Sequence, residues 1–349
     1  MGIFSSSALD GHEHVSYFTE PSVGLRAIIA IHRTGPLGIA GGGCRMWPYA
    51  DEDEAARDAL RLSRAMTYKM ALFDLPAGGA KAIVWGDPAR DKSEGLLRAL
   101  GRAIDRLGGR FVVSEDVGTT PEDMAIVARE TLWVNPHGAA APDTARPTAR
   151  AVLAGIEVAV RRRLGRGLDG VRVAVQGLGH VGRQLAGLLG EAGARLVVSD
   201  LDRALVDEAV EALGARGSPP EAIAAEEVEV FAPCALGDAL DERAIARLRC
   251  AVVAGSANTP LTDDRLADAI AARGILYAPD IAISGGGAIA AAFGAGGDEA
   301  QLGARLRRVP FMLDMIFDRA EREQVNPLVA AERVARERLA AQRAGGGGR

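Results

Sequence analysis

"GVRVAVQGLGHVGRQLAGLLGEAGARLVVSD", Gly170–Asp200, is the stretch that decides the fold. It opens on an apolar run, Val171 to Val175, that reads as a buried strand. Glycines follow at 177, 179 and 182 in G-x-G-x-x-G register. A helical pattern comes next, then a second apolar run ending in Asp200, 18 residues beyond Gly182. Three glycines alone would say little, but strand, turn, helix and terminal acid in this order describe a dinucleotide-binding βαβ unit. The glycines allow a tight turn and close backbone approach, the helix N-terminus receives a pyrophosphate, and the carboxylate pairs with a ribose 2'-hydroxyl. A carboxylate there repels a 2'-phosphate, so NAD is expected over NADP, with Arg203 the nearby cation that opposes the preference. Gly177, Gly179, His180, Val181, Gly182 and Asp200 are the expected cofactor contacts, His180 as a helix-face residue and not as an acid or base.

Downstream, "EVFAPCALG" and "CAVVAGSANTPL" end apolar runs in small residues, as suits strand ends over the nicotinamide half of a cofactor. Asn258 is the candidate there, since a side-chain amide offers paired donor and acceptor contacts; the plainer reading is a turn cap before Pro260. "GILYAPDIAISGGGAIAAAF" predicts one more strand and a glycine turn. Helical stretches broken at Asn326 and Pro327 follow, and the "GGGGR" tail is expected to be disordered.

Upstream, "GLRAIIAIHRT" reads as a strand, "GPLGIAGGGCRMWPYADEDE" as a turn-rich patch, and Glu52 to about Lys69 as a helix with its acids in the first turn. "LPAGGAKAIVWGDP" predicts a glycine turn feeding a short buried strand, "KSEGLLRALGRAIDRLGG" an amphipathic helix with a glycine C-cap, and "RFVVSEDVGTT" a strand ending at Glu115 and Asp116. Alternating strands and helices imply an α/β domain with its ligands beyond the strand ends. "VNPHGAAAPDTARPTA" is the expected crossing between domains, with a long helix starting near Thr148.

The chain has 349 residues, 48% of them hydrophobic and 25% charged, enough for two domains with separate cores. A net charge of -5 without a basic stripe gives no case for nucleic acid and favours small-molecule partners. No stretch approaches the roughly 20 apolar residues that span a bilayer. Three dispersed cysteines without a CxxC suit reduced thiols and a cytoplasmic location, with no zinc site. The N-terminal M-G-x-x-x-S pattern and the His12/His14 pair are short, common patterns that carry little weight for lipidation or a metal. More telling is the basic composition: of 41 basic residues only Lys69, Lys81 and Lys92 are lysines, and two of these sit in "MTYKMALFDLPAGGAK". Arginine serves any structural need for positive charge but cannot act as a base, so Lys69 and Lys81 read as chemistry.

"GGGCRMW", "MTYKMALFDLPAGGAK", "SEDVGTT", "VAVQGLGHVG", "FAPCALG", "AGSANTPL" and "YAPD" stand in the order and spacing of the glutamate/leucine/phenylalanine/valine dehydrogenases, and the chain resembles the leucine and phenylalanine branch most. The resemblance implies an N-terminal α/β substrate-binding and oligomerisation domain, residues 1–147 with a returning C-terminal helix 325–345, and a C-terminal Rossmann NAD-binding domain, residues 148–324. It implies reversible oxidative deamination of an L-amino acid to a 2-oxo acid and ammonia, in a homo-oligomer whose cleft closes over the substrate. By the same resemblance Lys69, with backbone N–H groups around Gly42 and Gly43, holds the substrate α-carboxylate. Lys81 is the base that activates water, prepared by burial and a nearby cation, and Asp116 takes the amino-group proton. Asn258 contacts the cofactor, and Thr148 lies near the nicotinamide amide.

Gly41 stands where the family's glutamate enzymes carry a lysine, so a buried side-chain carboxylate would lack its cation. The other pocket positions implied by the resemblance, Ser114, Ala288 and Ala291, are small and favour a bulky apolar substrate, phenylalanine-like in the limit. Two features depart from the family pattern: the short interdomain loop, and Ser284 where asparagine is usual. They keep open a catalytically impaired NAD-binding sensor. A 2-hydroxy-acid dehydrogenase would need a histidine base at a strand-end cleft, and none of the five histidines is placed for it.

Overall fold

A computed structural model describes residues 3–135, 144–237, 239–293 and 298–346, so half of the expected interdomain crossing lies outside the described residues. The chain forms two compact units, one built mainly from Met1–Pro142 with Arg336–Arg349, the other from Asp143–Phe293 with Gly297–Ala335. The division falls a few residues before the sequence-based boundary because the long helix begins at Ala145 rather than near Thr148. Only the last part of the final helix, from Arg336, groups with the first unit.

The first unit runs β1 (His14–Glu20), β2 (Leu25–Arg33), β3 (Ala40–Trp47), α1 (Glu52–Leu72), β4 (Gly78–Trp85), α2 (Glu94–Asp105), β5 (Phe111–Glu115) and α3 (Pro121–Val127). The sheet order is β1-β2-β4-β3-β5. The hairpin β1/β2 and the pair β2/β4 are antiparallel, whereas β3 lies parallel to both β4 and β5. β2 is apolar from Ala27 to Ile31, where both faces are covered. Ile29 and Ile31 meet Leu96, Leu100 and Phe111 on one side, and Ile28 and Ala30 meet Leu60 of α1 on the other. Asp51 caps α1, its carboxylate accepting the Glu54 N–H at 2.8 Å, and Glu52, Asp53 and Glu54 occupy the first turn.

One correction concerns "AGGGCRMW". The glycine run belongs to β3, a strand between β4 and β5, and not to a turn-rich patch. Its glycines answer to proximity: a Cβ on Gly42 would lie 1.8 Å from the Ala80 carbonyl oxygen. The pair in "LPAGGAK" has the same cause and starts β4 instead of forming a turn before it. A Cβ on Gly78 would meet the Arg33 oxygen at 1.9 Å, and one on Gly79 the Thr67 nitrogen of α1 at 2.0 Å. The side-chain-free strand therefore lets α1 lie directly on β4. The C-cap of α2 is Arg106, with Gly108 and Gly109 left-handed just beyond it.

The second unit runs α4 (Ala145–Leu164), β6 (Arg172–Gln176), α5 (His180–Glu191), β7 (Arg195–Ser199), α6 (Arg203–Leu213), β8 (Arg216–Gly217), β9 (Val230–Pro233), α7 (Glu242–Arg247), β10 (Val252–Val253), α8 (Leu266–Ala272) and β11 (Leu276–Tyr277), then α9 (Asp280–Ile283), α10 (Gly286–Phe293), α11 (Glu299–Leu306), α12 (Arg308–Glu323) and α13 (Pro327–Gly346). Its sheet is parallel throughout, in the order β11-β10-β9-β6-β7-β8. The order reverses between β6 and β9, which opens a crevice beyond their carboxyl ends, where the glycine turn begins. The expected glycine turn after "YAPD" is a break at Ser284 and Gly285 before α10, and the first two glycines of the tail extend α13. Near the chain's end, Arg336 donates to the Tyr68 hydroxyl at 3.0 Å, and Arg338 donates to the Leu72 carbonyl at 2.8 Å, at the last turn of α1.

Candidate active site

Neighbouring strands in the first unit bring Lys81, Asp116 and Arg45 together. Lys81 lies within β4 and is 4% exposed; its Nζ donates to Asp116 Oδ2 at 2.5 Å, just past the end of β5. Gly43 of β3 leaves the room for this pair, since a Cβ there would stand 2.7 Å from the Asp116 Cβ and 3.2 Å from Lys81 Nζ. Two residues on, and so on the same face of β3, Arg45 directs Nε to the same Asp116 oxygen at 3.4 Å and Nη1 to Asp58 Oδ2 at 2.9 Å. The Tyr49 hydroxyl donates to that Asp58 oxygen at 2.5 Å. Thr119 Oγ1 donates to the Cys44 carbonyl at 2.8 Å and accepts the Asp116 N–H at 3.0 Å, fixing the backbone from which Asp116 projects.

Burial alone would push the Asp116 carboxyl up, but Lys81 and then Arg45 outweigh it and hold the group well below the usual carboxylate range. Burial works against the Arg45 charge, and Asp116 and Asp58 more than restore it. Burial, reinforced by Asp58, raises Tyr49, which therefore serves as a phenol donor. Cys44 is pushed up to about 12 by burial and is no nucleophile.

Lys69, on the last turns of α1, is also buried, at 6% exposure. Beside it, the Met70 methyl lies 3.4 Å from where a Cβ on Gly41 would be, so an apolar group borders the place of the missing cation. Ser114 directs its hydroxyl to the Gly42 carbonyl at 3.5 Å. Lys92 is structural: it reaches Asp123 at 2.7 Å, within the capping box that starts α3. His12 and His14 do not converge. His12 meets Leu60 O and Ser63, His14 meets Ser16, and no cluster of three metal-ligating side chains occurs among the described residues.

In the second unit Gly177 is left-handed at φ 98°, and a Cβ on Gly182 would stand 2.0 Å from the Gly177 oxygen. Gly179 faces open space, and no side chain caps α5, so its first N–H groups point where an anion can reach them. His180 and Val181 open that helix. Asp200 ends β7 against the turn: Oδ2 accepts the Leu178 N–H at 2.6 Å and Oδ1 the Asp202 N–H at 2.9 Å. These residues fit a dinucleotide. Arg203 is highly exposed and occupied by Asp207 at 2.9 Å.

Asn258 sits in the loop after β10, next to Thr259, which is left-handed at φ 45°. Asp280, buried, accepts the Thr259 N–H at 2.9 Å and the Tyr277 hydroxyl at 3.3 Å, and so holds the Asn258 loop. Thr148 donates to Thr144 O at 2.6 Å, and its hydroxyl lies 2.7 Å from where a Cβ on Gly287 would be, beside half-buried Ala288 and Ala291. Ser284 donates to the Asp280 carbonyl at 2.6 Å, which accounts for its hydroxyl.

Sequence reasoning missed Arg45 and Asp280. The signal for Arg45 was present in "GGGCRMW": as a strand, it puts Gly43 and Arg45 on one face.

Residues 12–133 match the Glu/Leu/Phe/Val dehydrogenase dimerisation domain, and residues 210–345 match the Glutamate/Leucine/Phenylalanine/Valine dehydrogenase model. The chain is 42% identical to leucine dehydrogenase of Thermoactinomyces intermedius over 97% of this chain and 94% of that one. It is 40% identical to phenylalanine dehydrogenase of the same organism, over 94% and 92%. The crystal structure of L-tryptophan dehydrogenase from Nostoc punctiforme superposes with a TM-score of 0.74 at 39% identity, covering 95% of this chain and 97% of that one. The buried Lys69 and Lys81, the glycine turn and these full-length likenesses lead to one conclusion: the chain belongs to the glutamate/leucine/phenylalanine/valine dehydrogenase family.

Proposed function

We propose that this protein is an NAD-dependent dehydrogenase that converts a hydrophobic L-amino acid and water reversibly to the 2-oxo acid and ammonia. The observation that carries the reading is the Lys81–Asp116 pair beside Gly43, with Lys81 buried within β4 and Asp116 just past the end of β5. A bound nicotinamide supplies the hydride acceptor for the substrate α-carbon. Every other requirement falls to side chains and backbone of this chain. Lys69 and the N–H groups around Gly42 and Gly43 hold the α-carboxylate. Asp116 takes a proton from the substrate ammonium, leaving the free amine from which hydride departs. Lys81, in its neutral form, takes a proton from water as the oxygen adds to the imino carbon; Asp116 then returns its proton to the nitrogen, and as the C–N bond breaks the hydroxyl gives up its proton, leaving the 2-oxo acid and ammonia. The first unit is thus the substrate-binding and oligomerisation domain, and the second the cofactor domain, with Thr148 and Asn258 at the nicotinamide.

Asp200 at the turn, with Arg203 engaged by Asp207, supports NAD over NADP. Gly41 with its Met70 neighbour, together with Ser114, Ala288 and Ala291, supports a bulky apolar side chain over glutamate. A homo-oligomer in the cytoplasm fits this reading; no helix among the described residues is long and apolar enough to cross a membrane. No observation favours the impaired sensor, since Ser284 is hydrogen-bonded within its own helix turn.

The test is NADH formation at alkaline pH with Leu, Val, Ile, Phe, Tyr, Trp and Glu, repeated with Lys81→Ala. Turnover of apolar substrates that disappears in the variant is the expected result. Inertness toward every amino acid while NAD still binds would sink the reading.

A further inference from the structure

We propose that Arg45 is a positioning residue of the catalytic site: it aims the Asp116 carboxylate and keeps it ionised while Lys81 passes through its neutral, basic form. The proposal rests on the activity proposed above. Asp116 Oδ2 is shared by two cations, Lys81 at 2.5 Å and Arg45 Nε at 3.4 Å. These cations serve different ends. A working base must shed its proton, and Lys81 then ceases to neutralise Asp116. A guanidinium stays protonated throughout, so Arg45 remains as a cation facing Asp116.

Arg45 is itself fixed. It is 6% exposed, its Nη1 is anchored 2.9 Å from Asp58 Oδ2 on α1, and Asp58 is held by the Tyr49 hydroxyl. The planar fork spans two carboxylates, so its far end is clamped while its near end sets where Asp116 points. Among the described residues, the charged and titratable groups facing this centre are Lys81 from β4, Arg45 and Cys44 from β3, Tyr49 after β3 and Asp58 from α1, with the paired Lys92 and Asp123 acting on Cys44 beyond them. With Lys81 charged, two cations balance two carboxylates. With Lys81 neutral, the centre carries one net negative charge with Arg45 and two without it. Loss of Arg45 therefore resists deprotonation of Lys81, and loss of Asp58 favours it.

This gives a test that packing alone would not pass. In the full-length enzyme, Arg45→Gln is expected to lower kcat for the best amino acid about 100-fold, with KM within about threefold. It should also move the ascending limb of the kcat–pH profile upward by roughly one unit. Arg45→Lys should return the limb while recovering only part of kcat, because an ammonium cannot span both carboxylates. Asp58→Asn should displace the limb in the opposite direction, and it carries the test if Arg45→Gln does not fold. A wild type inert toward every amino acid would overturn the activity and this role together. An active wild type whose variants melt earlier but keep kcat and limb would overturn the role alone.

Discussion

In the first unit the proposed working groups are side-chain charges: Lys81 and Arg45 buried on strands, half-buried Asp116 just past one, and buried Lys69 on α1, packed beside strands that carry no side chains at Gly42, Gly43, Gly78 and Gly79. In the second unit the working surface is largely backbone: the left-handed Gly177, the open face at Gly179 and the uncapped start of α5, with Asp200 as its main side chain. Glycine thus has two uses in one molecule. In the first unit it removes Cβ atoms so that charges and helices can come close, and in the second it bends the chain so that a ligand can. In the proposed function, one arrangement reads a small substrate by charge and moves protons; the other recognises an anion whose chemistry does not change.

The sharpest way to break this contrast is Lys81→Ala. Turnover is expected to fall by about 10³-fold or more, with NADH affinity, read by fluorescence titration, within about twofold. A matching loss of NADH affinity would show that the two units do not divide the labour. Gly182→Ala probes the other side: its new Cβ would meet the Gly177 oxygen at 2.0 Å. NADH binding should weaken by roughly 100-fold, about 2.7 kcal/mol. Gly182→Ala should leave the near-ultraviolet dichroism of the first unit's tryptophans, Trp47, Trp85 and Trp133, in place.

Acid should separate the units next. Burial, with His12 close by, lowers His32 from 6.5 to about 4, so the unfolded chain holds the extra proton between those values. The first unit therefore loses stability as pH falls through that window. Asp116 acts below it: its depressed carboxyl contributes stability above the ordinary carboxylate range that is lost as the folded group finally protonates. Hydrogen exchange is expected to show α1 and β4 opening before β6 and β7 as pH falls from 6.5 toward 4, and His32→Phe should flatten that segment of the curve. The smallest expected effect is that of Arg203→Ala. An exposed residue paired with Asp207 should change the NAD to NADP preference by less than about twofold, and a larger change would give Arg203 a place at the ribose.

The contrast also explains what the sequence discloses. A backbone site must write itself in glycine, so Gly177, Gly179 and Gly182 with Asp200 are legible from residue order alone. Lys69 and Lys81 stand out because lysine is rare here. Arg45 is one of 38 arginines, and nothing in residue type separates it from Arg203 on the surface. Its role follows from strand pairing, which depended on reading "AGGGCRMW" as β3; a glycine-rich run suggests a turn unless the close approach of Ala80 is known. Asp280 is hidden for a related reason, since its partner is the N–H of Thr259, 21 residues away, and side-chain spacing carries no trace of it. The start of α4 at Ala145 is obscured by Pro147, which reads as a break but sits in the helix's first turn, where its missing N–H costs nothing.

The hydrogen bonds from Arg336 and Arg338 to Tyr68 and Leu72 join segments more than 260 residues apart. Arg338 meets the carbonyls that end α1, the helix that carries Lys69, so a segment late in the sequence finishes an element more than 260 residues before it. On a ribosome the first unit must wait, with one helix end unsealed, until Arg338 has emerged. Such long-range closure slows folding. It also makes a chain truncated before Arg336 defective at its beginning.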